Sequence, residues 1–282
     1  MIYQTVDLYE YFGKKNMGKG GRLIVYSPDN SYEINADRVR PAILIAPGGG
    51  YRNVSFREGE PVALQFLARG FVVFVLSYDV YPFAYPYSPL VEGGMAMKYI
   101  RAEGSRYGAD TGKVCAAGFS AGGHLVSFLA TAFDDEIFRD FFGERRADGI
   151  RPDAVILAYP VISHSLPTKS LTLSRLCGND CVNPEKFSTE LRVTENSSPA
   201  FIWATFDDEA VNPLNALKMA EAYCEKGVRC SVVIYPHGQH GLSVADDSVY
   251  RTDKPYKTSE NVRLWIDDAC SFMKLSGIAI KD

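Results

Sequence analysis

The sequence predicts an α/β fold, with a mostly parallel central sheet and helices on both faces. Three observations predict it. First, beside strands at Pro199 to Thr205 and Cys230 to Tyr235, largely apolar runs of strand length recur at Pro41 to Ala46, Phe71 to Tyr78 and Asp153 to Pro160. Such runs suit strands buried on both faces. Second, segments with apolar residues at helical spacing alternate with these runs, as parallel crossovers require. Third, the apolar run Lys113 to Ala117 passes into Gly118-Phe119-Ser120-Ala121-Gly122, and then into a helical pattern from Gly123 to Ala130.

Residues 1 to about 40 mix short apolar runs with turn residues, as in a hairpin entering a sheet. Arg22 to Tyr26 is a strand candidate, and Gly18 to Gly21 before it reads as a flexible turn. Pro41 to Ala46 then runs into Pro47-Gly48-Gly49-Gly50-Tyr51. A helix is expected from Glu60-Pro61, since proline suits a first helical turn. Val62, Ala63, Phe66 and Leu67 give that helix its apolar face, and Gly70 stops it.

Tyr78 to Pro89 is too rich in proline for a helix and too aromatic for a solvated linker. It is either a rigid wall beside a pocket or a loop packed across the end of the sheet. A helix is expected from Ser88 to Tyr107, and surface helix and loop from Phe133 to Gly149. Residues 162 to about 198 lack a long apolar period and read as an insertion over the carboxyl edge of the sheet, within one domain spanning 1–282. Further helices are expected from Pro213 to about Glu225 and from about Ser259 to Leu275.

Hydrophobic residues make up 46% of the 282 positions and charged residues 23%, as in ordinary globular proteins. A net charge of −4 leaves no footprint for nucleic acid and little attraction to anionic membranes. No apolar run approaches the length of a membrane span. The first residues lack a basic segment followed by an apolar core, so a cytoplasmic location is expected. The six cysteines are then expected as thiols. Cys177 and Cys181 have no second Cys/His pair at zinc-finger spacing, so no metal site is expected.

The chemistry-bearing residues fall in one order. Strand, Gly-x-Ser-x-Gly, helix is the context in which the motif presents a nucleophile, here Ser120. Alone, the motif is also compatible with a tight turn that packs a helix on a sheet. The three glycines after the strand at 41–46 offer backbone amides without side-chain obstruction. Gly49 or Gly50 would supply one oxyanion donor and Ala121, after the nucleophile, the other. No Gly-Lys-Ser/Thr follows the glycines, which excludes a Walker-type phosphate loop.

The acid is expected after the next strands but one, in Phe206-Asp207-Asp208-Glu209-Ala210-Val211. Asp208 is favoured for its Asp-x-x-Val spacing, with Asp207 as the alternative. Of the four histidines, His240 in Pro236-His237-Gly238-Gln239-His240-Gly241 is the expected base. His124 sits one turn after Ser120 on its helix and reads as structural or pocket-lining. His237 is expected to hold its loop, and His164 has no evident partner.

Together these stretches, with Arg57-Glu58-Gly59-Glu60-Pro61, resemble the α/β-hydrolase superfamily, and more narrowly its acetyl-xylan-esterase-like and lipase-like esterases. The likeness covers about residues 40 to 275. It implies serine ester hydrolysis, often deacetylation of sugars, without metal or organic cofactor. The implied partner is a small-molecule ester such as an acetylated sugar or oligosaccharide. Two departures stand out: Pro47 where many esterases carry histidine, and Glu209 to Pro213 where a more apolar turn is usual. A peptidase or amidase of the prolyl-oligopeptidase kind is a competing expectation, as is a binding protein that keeps the fold without the chemistry.

Overall fold

The structure, a computed structural model, describes residues 1–143, 148–166, 171–178, 181–250 and 260–278. Eight strands form one sheet: β1 (Ile2–Asp7), β2 (Arg22–Ser27), β3 (Arg40–Ala46), β4 (Val72–Ser77), β5 (Ala109–Phe119), β6 (Ala154–Ala158), β7 (Ala200–Thr205) and β8 (Cys230–Tyr235). Their spatial order is β1-β2-β4-β3-β5-β6-β7-β8. The pairs β1/β2 and β2/β4 are antiparallel and the remaining pairs are parallel. Every residue of β3, β6 and β7 is buried, as their largely apolar sequences suit.

Eight α-helices accompany these strands among the described residues: α1 (Leu8–Tyr11), α2 (Glu60–Ala68), α3 (Ser88–Glu103), α4 (Ala121–Thr131), α5 (Glu136–Phe142), α6 (Thr172–Cys177), α7 (Leu214–Glu225) and α8 (Trp265–Leu275). On one face α2 and α8 meet, where the Phe66 and Trp265 rings approach to 6.3 Å and Arg69 pairs with Asp267. Trp265 also stacks on Trp203 of β7 and meets Phe119 of β5 edge-on. Burial of each of these large side chains stabilises the sheet by roughly 1.5–3 kcal/mol. Elsewhere α3 lies against α4, with Gly93 set so closely over Leu125 that a Cβ there would come within 2.7 Å of its Cδ2. Among the described residues no helix is long and apolar enough to cross a membrane.

Several sequence expectations shift. The helix expected from Ser88 ends at Glu103, and Gly104–Tyr107 is a 3-10 turn. The last helix starts at Trp265, after a 3-10 turn over Glu260–Leu264, and Ser259 lies outside the described residues. Within Phe133 to Gly149 the helix is α5, and 144–147 lie outside the described residues.

The turn at Gly18 to Gly21 is not a free one. The Asp79 carboxylate accepts the amides of Lys19 and Gly20, which ties the N-terminal segment to the end of β4. Asp79 N–H in turn donates to Glu92 Oε2 at 2.6 Å. Glu92 is fully buried on α3, and among the described residues its Oε1 has no hydrogen-bond partner.

Burial, and then the nearby Asp79 charge, push the Glu92 carboxyl well above its ordinary range. The folded state therefore holds a proton that the unfolded chain releases above about pH 4.3. With a raised folded pKa, the wild type loses stability as pH rises through that interval. Glu92→Gln keeps an acceptor for Asp79 N–H and cannot ionise. We expect it to be more stable than wild type at pH 8, with the gap closing below pH 4, as read by denaturant melts at both pH values.

The register brings the carboxyl ends of the central strands level. Ala46 pairs with Gly118, Phe119 with Ala158, Ala158 with Trp203, and Thr205 with Tyr235. The loops that leave these strands therefore share one rim, the usual ligand edge of an open α/β sheet.

Candidate active site

Ser120 sits at the turn between β5 and α4 with φ 54° and ψ −114°, a backbone conformation that a side chain tolerates poorly. The turn is held from both sides. Ser120 N–H donates to Ala158 O, and Ser120 O accepts from the amides of His124 and Val161. Only glycine fits at its flanks. A Cβ on Gly118 would lie 2.2 Å from Gly122 O, and one on Gly122 would lie 2.0 Å from Ala46 O. The motif's glycines thus serve close backbone approach, the second one against the strand that feeds the glycine loop.

His240, on the loop after β8, reaches Ser120. Its Nε2 lies 2.8 Å from Ser120 Oγ, and its Nδ1 lies 2.7 Å from Asp208 Oδ2. A carboxylate only accepts, so Nδ1 carries the proton and Nε2 faces the hydroxyl as an acceptor. The Asp208 side chain is fully buried, and its Oδ1 accepts from the amides of Ala210 and Val211. Asp207 turns elsewhere. It accepts from Gly238 N–H at 2.6 Å and lies 3.3 Å from His237 Nδ1. The Gly238 hydrogen bond is the leading cause that holds its carboxyl below the usual range. Each aspartate therefore holds one half of the same loop, Asp208 through His240 and Asp207 through the 237–238 turn.

The N–H groups of Gly49, Gly50 and Ala121 have no acceptor among the described residues, whereas Gly48 N–H donates to Glu58 Oε2 at 2.7 Å. Gly48 is thereby removed from the set of free donors. The carbonyls of the loop are also occupied. Gly49 O accepts from Arg52 and Asn53, and Gly50 O accepts from Arg175 Nη1 at 2.8 Å. Among the described residues no group of three or more His, Cys, Asp or Glu could hold a metal ion.

The other three histidines are accounted for separately. His124 is fully buried between Tyr51 OH, 2.9 Å from Nδ1, and Phe187 O, 2.8 Å from Nε2. A carbonyl only accepts, so Nε2 carries the proton and Tyr51 donates to Nδ1. Burial pushes the imidazole down to about 4, so it stays neutral. His124 is thus structural, joining the glycine loop to the 3-10 turn Pro184–Phe187. His237 faces Asp207 at its exposed loop, and His164 is exposed.

Sequence reasoning assigned no role to Glu58 or Tyr159. Glu58 is buried, and its second oxygen accepts from Tyr159 OH at 2.7 Å. Tyr159 OH accepts in turn from Ser243 N–H, three residues after His240. Burial, reinforced by the Glu58 charge, raises the Tyr159 phenol well above its ordinary value, so it remains a donor. Its ring meets the His240 ring edge-on at 5.0 Å. One carboxylate therefore grips the glycine loop directly and the histidine loop through a tyrosine. The only signal in the sequence was position: a Glu just beyond the glycine loop, inside the stretch that carried the resemblance.

All six cysteines are thiols in the structure. Cys115 is fully buried in β5, and burial pushes its thiol up.

Residues 25–223 match the BD-FAE family. Two curated proteins are similar over most of this chain. Endo-1,4-beta-xylanase B of Butyrivibrio fibrisolvens is 37% identical over 225 residues, which is 78% of this chain and 35% of that protein. The acetylxylan esterase of Xylanibacter ruminicola is 28% identical over 209 residues, 71% of this chain and 41% of that protein. The chain thus spans well under half the length of these relatives. Among solved structures, the carboxylesterase Cest-2923 of Lactobacillus plantarum WCFS1 aligns over 100% of both chains at 26% identity with a TM-score of 0.84. An acetyl ester-xyloside bifunctional hydrolase of Caldicellulosiruptor lactoaceticus aligns over 98% of this chain and 97% of its own at 30% identity, with a TM-score of 0.81. With an α/β-hydrolase sheet that carries Ser120 on its elbow, and a family match over more than half its length, the chain belongs to the BD-FAE family.

Proposed function

We propose that the chain is a serine carboxylesterase that removes acetyl or similarly small acyl groups from esterified carbohydrate. The observation that carries this reading is His240, whose ring touches the Ser120 hydroxyl on one side and the Asp208 carboxylate on the other. In the proposed reaction Ser120 Oγ attacks the acyl carbonyl as His240 Nε2 takes its proton. The N–H groups of Ala121 and of Gly49 or Gly50 receive the oxyanion. His240 then protonates the leaving alcohol as the C–O bond breaks, and an acyl-enzyme remains. Water, losing a proton to His240, attacks that ester and frees the acid and Ser120. No metal or organic cofactor enters these steps.

The substrate class rests on what similar proteins are named for: an acetylxylan esterase and an acetyl ester-xyloside hydrolase. The described part of segment 162–198, which excludes 167–170 and 179–180, is proposed to cover the site as part of the same domain. Two contacts support that placement, Arg175 on Gly50 O and Phe187 O on the His124 ring. The test is a series of p-nitrophenyl esters of increasing acyl length, run beside acetylated xylo-oligosaccharides and dipeptide amides. Rates should be highest for acetate and for the acetylated sugars. Rates that rise with chain length, or faster cleavage of the amides, would reject the small-acyl assignment. A fluorophosphonate probe should label Ser120.

Glu58 is expected to act by positioning. In Glu58→Gln only one side-chain oxygen remains, while Gly48 N–H and Tyr159 OH both donate. With its oxygen held by Gly48 N–H, the amide turns its NH2 to Tyr159, whose hydroxyl proton loses its acceptor and must reorient. kcat for p-nitrophenyl acetate should fall about 100-fold, the cost of a small misplacement of reacting groups, with KM little changed. A wild-type kcat in a folded variant would remove Glu58 from this role.

A further inference from the structure

A cavity of about 740 Å³ adjoins the glycine loop, within the size range of small-ligand pockets. Its wall includes Arg52, Arg175, Tyr81, Tyr85 and Leu171. Both arginines are tied to the oxyanion loop. Arg52 N–H donates to Gly49 O, and Arg175 Nη1 donates to Gly50 O. Arg175 keeps Nε and Nη2 for other acceptors, and the guanidinium of Arg52, an exposed residue, engages no protein group among the described residues. No carboxylate lines the cavity among the described residues. In a chain whose formal charge is −4, two guanidiniums in one wall with no carboxylate beside them among the described residues are a local excess of positive charge.

The rest of the wall narrows the ligand. Tyr81 and Tyr85 are 62% and 57% exposed, so their rings are open to contact. An aromatic ring with a hydroxyl at its edge suits a ligand with apolar C–H faces and polar edges, which describes a sugar. Guanidinium pairs suit a planar carboxylate, which they can hold through two parallel N–H···O bonds.

Resting on the esterase reading above, we propose that this cavity is a subsite for a hexuronic acid unit of the glycan whose ester is presented to Ser120. The carboxylate binds between Arg52 and Arg175, and the sugar ring packs on Tyr81 and Tyr85. The preferred substrates are then acidic, acyl-substituted oligosaccharides rather than neutral ones. A free dicarboxylic acid shares the carboxylate but lacks the ring, so it gains only part of these contacts.

The test is binding rather than turnover. The wild-type protein is titrated calorimetrically with three ester-free ligands: a xylo-oligosaccharide that bears a hexuronic acid branch, the neutral oligosaccharide of equal length, and succinate. The acidic oligosaccharide should bind about 10-fold more tightly than the neutral one, as expected for a charge-assisted contact, and more tightly than succinate. That preference should shrink with added salt and be lost in Arg52→Ala. Equal affinity for acidic and neutral oligosaccharides would overturn the proposal, as would a preference that survives in Arg52→Ala. Succinate binding as tightly as the acidic oligosaccharide would remove the sugar from it. Because none of the ligands carries an ester, these results stand whether or not hydrolysis by Ser120 is found.

Discussion

Ser120→Ala should lower kcat for p-nitrophenyl acetate by about a millionfold, with the melting temperature close to that of the wild type. The size follows from what the hydroxyl does. In the proposed reaction it supplies the bond-forming electrons and the first proton that His240 moves, so its removal would leave only the oxyanion donors and substrate binding to act on water. The small structural cost follows from its contacts. Ser120 Oγ bonds His240 Nε2, while the strained turn is held by backbone bonds to Ala158, Val161 and His124, which alanine preserves. A folded variant that keeps most of the wild-type rate would end the assignment of Ser120 as nucleophile.

The second large effect separates two adjacent aspartates. Asp208→Asn should lower kcat by about 10,000-fold. In that variant the amides of Ala210 and Val211 still demand an acceptor, so the asparagine oxygen takes their side and its NH2 faces His240 Nδ1. Two donors cannot face one another. His240 must then carry its proton on Nε2, toward Ser120, where it cannot accept. Asp207→Asn keeps an oxygen for Gly238 N–H and should change kcat far less. Steady-state rates of both variants on one ester decide the matter, and a reversed order would exchange the two roles.

The pair also marks what the sequence could convey. The meeting of Ser120 with His240 was legible because each lies in a recognisable local pattern, a strand-to-helix turn flanked by glycine and a glycine-bearing loop after the last strand, and because the two patterns occur together. Asp208 was legible through its spacing to Val211, whose amide does bind it. That Asp207 secures the 237–238 turn was not legible, because the partner lies 31 positions away. Glu58 and Tyr159 are 101 positions apart, and each looks ordinary in its own stretch. No periodicity encodes such a bond, because it depends on how loops at the sheet's rim are threaded past one another. Likewise Gly18 to Gly21 read as free chain because Asp79, which takes its amides, is about 60 positions away. The aromatic stretch at Tyr78 to Pro89 left two readings open, and Tyr81, Pro82 and Tyr85 do line a cavity wall.

Arg175 on Gly50, and Phe187 on His124 and through it Tyr51, fasten the segment beyond β6 to the same short strip of backbone whose amides the proposed reaction uses for its oxyanion. In the proposed reaction, purchase on the distant part of a substrate would therefore be transmitted to the point where negative charge develops. Trimming a substrate's remote units should show itself as slower turnover more than as weaker capture, because binding energy gained far from the scissile bond is spent on aligning it.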